Sequence, residues 1–87
     1  MTAQSIRISA ESLRKFATAI FRDAGCRDAD ALTMAQCLVQ SNLWGIDSHG
    51  VLRLPDYLGR LRSGAMNAKP GIRTLKSVPG LEVLDAD

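Results

Sequence analysis

The sequence predicts a mainly α-helical fold of three helices, followed by a short β-hairpin or extended tail. Two observations predict it. Apolar residues recur at three- and four-residue steps in three stretches, closed in turn by Gly25, Gly45 and Gly64. After Gly64 the spacing switches to the alternation expected of strands, around a Pro79-Gly80 turn.

The first helix is capped by Ser9, with Glu11 in its first turn where the helix dipole favours an anion. Leu13, Phe16, Ala17, Ile20, Phe21 and Ala24 form its expected buried stripe, and Glu11 and Lys15 are spaced to pair. Asp28 is the expected cap of the second helix. Its inner stripe is Ala31, Leu32, Ala35, Leu38, Val39 and either Asn42 or Leu43, with the alanines allowing close approach. The short link through Cys26 suggests an antiparallel pair. Val51, Leu54, Leu58 and Leu61 mark the third helix. Pro55 would remove a backbone bond from a helix starting at Ser48, so a turn at residues 47–50 feeds a helix regular only from about Leu54.

The chain has 87 residues, 46% of them hydrophobic and 23% charged, which is ordinary globular usage. Eleven basic and nine acidic side chains leave a charge of +2, too balanced to demand nucleic acid or a membrane surface. No apolar run approaches the ~20 residues that span a bilayer. The N-terminus lacks the pattern of a secretory leader, so the expected location is cytoplasmic. Two cysteines are too few for a disulfide framework, and both are expected as reduced thiols, with Cys37 packed as a small hydrophobe. One histidine and no C-x₂-C pair exclude a zinc site, and no metal is expected.

The densest polar cluster is Gly45-Ile46-Asp47-Ser48-His49-Gly50-Val51-Leu52-Arg53. Consecutive Asp, Ser and His side chains diverge, so this is not a hydrolase triad. On a helix, however, His49, Arg53, Tyr57 and Arg60 would share one face. That set suits a small carboxylate: Arg grips it bidentately, His moves a proton near neutral pH, and Tyr adds a directional hydrogen bond.

Residues 45–61 resemble the G-x-D-S-H-G-V-x-R-x-P-x-Y-x-x-R-L signature of the malate/L-lactate dehydrogenase family. This group includes ureidoglycolate, sulfolactate and diketogulonate oxidoreductases and is distinct from the Rossmann-fold lactate and malate dehydrogenases. The resemblance implies the N-terminal part of a larger α/β fold, in which 1–64 form the helical segment carrying the motif. Residues 65–87 would be a loop and two short strands leading into a cofactor-binding domain. It implies His49 as the catalytic proton donor and acceptor for a 2-hydroxy or 2-oxo acid, with Ser48, Arg53 and Tyr57 binding substrate. It also implies NAD or NADP bound outside this chain, a homodimer when full length, and no activity for the 87-residue piece alone. The alternative is a small helical DNA-binding or protein-interaction module using Arg53, Arg60, Arg62, Lys69 and Arg73, although Asp47 and Asp56 interrupt that basic face. A pure assembly element, with Trp44 as an anchor, is a third reading.

Overall fold

A computed structural model describes residues 7–87, and the leader reading rests partly on residues outside that range. The order is α1 (Ala10–Asp23), α2 (Asp28–Leu43), 3₁₀ turns at Asp47–His49 and Val51–Arg53, α3 (Leu54–Ser63), then β1 (Arg73–Val78) and β2 (Leu81–Asp85). Three helices and an antiparallel hairpin are therefore the observed architecture, as the spacing predicts.

Ser9 caps α1 by accepting from the Ser12 N–H at 3.1 Å. Asp28, by contrast, does not cap α2. The capping position falls on Arg27 without a side-chain bond, while Asp28 lies in the first turn and pairs with Arg22 at 2.9 Å. There its charge still meets the positive end of the helix dipole. Both helices end in the same way, with a paired 6→1 and 5→2 closure. In α2 the Ile46 N–H donates to the Ser41 carbonyl at 2.8 Å and the Gly45 N–H to the Asn42 carbonyl at 3.0 Å. Gly45 sits at φ +77, a conformation that glycine adopts without a Cβ penalty. Pro55 lies within the first two positions of α3, where its missing N–H breaks no bond.

The core lies where α1, α2 and α3 meet, on Phe21, Cys26, Ala31, Leu38, Leu54 and Leu61. Ala17, Ala31 and Ala35 are fully buried, which lets α1 and α2 pack closely. Only part of each expected stripe is inside. Phe16 is 60% exposed and Leu32 45%, because each is one residue, about 100° of helix rotation, away from buried Ala17 and Ala31. Cys37, expected to pack as a small hydrophobe, is exposed, whereas Cys26 is buried; both are free thiols. Cys37 precedes Leu38 and is turned off the seam in the same manner. Trp44 is 72% exposed and anchors nothing in the core.

Strands β1 and β2 pair from Arg73↔Asp85 to Val78↔Leu81, with a bulge between Thr74 and Lys76 that breaks the strict alternation. Their side chains are exposed apart from half-buried Asp85. The loop before them is tied to the helices. Arg27 donates to the carbonyls of Pro70 at 2.8 Å and Lys69 at 3.2 Å, and Met66 and Ala68 pack on the core. Asp87 closes the hairpin base by accepting from the Gly71 N–H at 2.8 Å and from Asn67 at 3.2 Å.

Candidate active site

The polar motif occupies the corner between α2 and α3. Its first half is the 3₁₀ turn Asp47–His49, closed by the His49 N–H on the Ile46 carbonyl at 3.1 Å. Its second half is the turn Val51–Arg53, closed by the Arg53 N–H on the Gly50 carbonyl at 3.0 Å. Two short turns in series replace the helix start that Pro55 disfavours.

The Ser48 hydroxyl lies 2.9 Å from His49 Nδ1. Ser48 and His49 are both exposed, so the ring is open to a ligand. Arg53 Nε donates to the Ser48 carbonyl at 2.8 Å, and its Nη1 lies 3.5 Å from the Asp56 carboxylate. Serine, histidine and arginine are thus linked through one short segment.

Tyr57 is half-buried against the core. It shares a groove of about 340 Å³ with His49, whose α2 wall includes Met34, Cys37, Leu38 and Ser41. Arg53 does not line this groove; its guanidinium is turned to Ser48 and Asp56. A single helical face carrying His49, Arg53, Tyr57 and Arg60 does not form, because the α-helix is regular only from Leu54. The structure brings His49 and Tyr57 together at the groove and joins Arg53 to Ser48 instead.

One residue escaped the sequence reading. Asn42, half-buried near the end of α2, accepts from the Val51 N–H and donates to Asp47 Oδ1, each at 2.9 Å. A Cβ on Gly50 would overlap the Asn42 carboxamide, so the loop backbone passes directly over this side chain. Helical spacing places Asn42 near the inner stripe, but no local pattern announces that it holds a loop.

Among the described residues, no three His, Cys, Asp or Glu side chains converge to hold a metal, and no helix is long and apolar enough to cross a membrane.

The family model of malate/L-lactate dehydrogenase matches residues 8–87. The chain belongs to the malate/L-lactate dehydrogenase family. The structure of a malate dehydrogenase from Pyrococcus horikoshii OT3 superposes with a TM-score of 0.91 at 34% identity, covering 94% of this chain and 24% of that one. A sulfolactate dehydrogenase from Methanocaldococcus jannaschii superposes with a TM-score of 0.90 at 32% identity, again over 94% of this chain and 24% of the other. A ureidoglycolate dehydrogenase (NAD(+)) from Escherichia coli is 33% identical over 82 residues, which are 94% of this chain and 24% of that protein. The helices and hairpin are therefore part of the malate/L-lactate dehydrogenase fold. This family member spans about a quarter of the length of the relatives it matches.

Proposed function

We propose that this chain supplies the N-terminal, substrate-facing segment of an NAD(P)-dependent oxidoreductase that interconverts a small 2-hydroxy acid and the corresponding 2-oxo acid. Malate, sulfolactate and ureidoglycolate, the substrates in its relatives' names, are all 2-hydroxy acids. Residues 1–64 carry the motif, and 65–87 lead toward the cofactor-binding part. The redox cofactor, NAD or NADP, binds outside these residues. The complete enzyme is a cytoplasmic homodimer.

The observation that carries this reading is the contact between Ser48 and His49. With Nδ1–H donating to Ser48 Oγ, Nε2 is free to exchange a proton in both charge states of the ring. In the reductive direction, protonated His49 gives its Nε2 proton to the oxygen developing negative charge on the substrate. In the oxidative direction, neutral Nε2 takes the hydroxyl proton. Arg53, already oriented by the Ser48 carbonyl, presents its remaining N–H groups to the substrate carboxylate when the 3.5 Å contact with Asp56 yields. Tyr57, across the groove from α2, adds a directional hydrogen bond.

The test is His49→Gln in the full-length enzyme, followed by nicotinamide absorbance with malate, lactate and ureidoglycolate. Loss of a positioned general acid–base predicts a fall of ~10²–10⁴-fold in kcat. Unchanged turnover would overturn the assignment. The 87-residue chain alone is expected to show no turnover above background in the same assay.

A further inference from the structure

We infer that Asn42 is the positioning residue of the His49 loop, and this rests on the proposed role of His49 in proton transfer. The loop has two ends, and both are held by one side chain. At its start, Asp47 Oδ1 accepts from Asn42 Nδ2 at 2.9 Å; at its end, the Val51 N–H donates to Asn42 Oδ1 at 2.9 Å. Ser48, His49 and Gly50 are the span between those anchors.

The chemistry of the partners leaves little choice of residue. A backbone N–H requires an acceptor and an ionised carboxylate requires a donor, and a carboxamide offers both on one planar group. Aspartate would set a second carboxylate against Asp47, and alanine would leave both partners without a bond. The anchor is itself firm, because Asn42 belongs to the helix whose Leu38 and Val39 are buried in the core. The absence of a side chain at Gly50 completes the device, since any Cβ there would collide with the carboxamide and lift the loop off α2. His49 is exposed and packs into no core position, so its placement is inherited from Asn42 rather than from burial of its own ring.

The test is made in the full-length enzyme by steady-state kinetics. Loosening a catalytic group by about 1 Å is enough for a ~10²-fold loss, so Asn42→Ala is expected to lower kcat by ~10- to 100-fold. KM should change little, because Asn42 does not line the groove beside His49. The double variant Asn42→Asp/Asp47→Asn reverses donor and acceptor while keeping an acceptor for the Val51 N–H, and it should restore most of the lost kcat. Asp47→Ala, at an exposed position, cuts one anchor without disturbing α2 and should lower kcat severalfold even if Asn42→Ala does not fold. Unchanged kcat in Asp47→Ala, a KM effect alone in Asn42→Ala, or no recovery in the reversed pair would each overturn the inference. His49→Gln separates the two layers. If it abolishes turnover while the Asn42 and Asp47 variants leave kcat unchanged, only the positioning role fails; if it leaves turnover intact, both fail.

Discussion

Ser48 and His49, adjacent in sequence, are joined through their side chains as well, Oγ to Nδ1 at 2.9 Å. Successive side chains on a strand or helix point apart, yet here two of them meet within the 3₁₀ turn. The contact engages Nδ1, and the proposed proton transfer uses the other ring nitrogen.

The first prediction concerns that contact. In the full-length enzyme, Ser48→Ala removes the hydroxyl partner of Nδ1 and lets the ring rotate. Kinetics should show a kcat lower by ~10-fold or more, within the range that general acid–base positioning controls. Wild-type kcat in Ser48→Ala would show that the ring is oriented by other means.

A second prediction tests the packing that carries the site. Phe21 is fully buried at the junction of the helices, with Ala31 and Leu38 in the same cluster. Phe21→Ala should destabilise the fold by ~3–5 kcal/mol in denaturant titrations, the usual sum of lost transfer energy and a residual cavity. A value under ~1 kcal/mol would mean that the three helices do not share this core.

The cysteines provide a third. Burial, and secondarily the nearby Asp30 charge, push the Cys26 thiol above its ordinary pKa, so less of the reactive thiolate forms at neutral pH. Cys37 is exposed at the groove. Alkylation followed by mass spectrometry should label Cys37 first and Cys26 only on unfolding. Equal rates at neutral pH in the folded chain would contradict the arrangement.

Acid should weaken the base of the hairpin. The Asp87 N–H and then the Arg73 guanidinium hold the Asp85 carboxyl below its usual range. A carboxylate with a depressed folded pKa stabilises above its unfolded pKa and loses that contribution as pH falls through the folded value. The loss therefore begins near the ordinary aspartate range, about 3.9, and continues below it. Amide NMR should show the Arg73 and Asp85 ends of the strands shifting below that range, and Asp85→Asn should remove the effect. The change in global stability should be small, because the pair is solvent-accessible.

Much of this molecule was legible from local chemistry. The Ser9 cap, the stops at Gly25, Gly45 and Gly64, the delayed start of α3 at Leu54 and the Pro79-Gly80 turn are each decided within a few residues of chain. The motif at 45–53 was legible for the same reason, being contiguous. Basic residues of the second half, which alone could suggest a nucleic-acid face, are partly paired: Arg53 with Asp56 and Arg73 with Asp85.

By itself, then, the sequence determined the order of the elements and most of their ends, the family, and which few side chains are proposed to carry the chemistry. Those follow from backbone preferences and from residues that are neighbours in the chain. Only the tertiary structure decided that Phe16, Leu32 and Trp44 stay outside, that Cys26 rather than Cys37 is buried, and that Asn42 grips the loop under Gly50. Periodicity places a residue within one helical turn, but which side of that turn is covered depends on where the neighbouring helix lies. A hydrogen bond from α2 to Val51 arises only when the chain has folded back over its own helix.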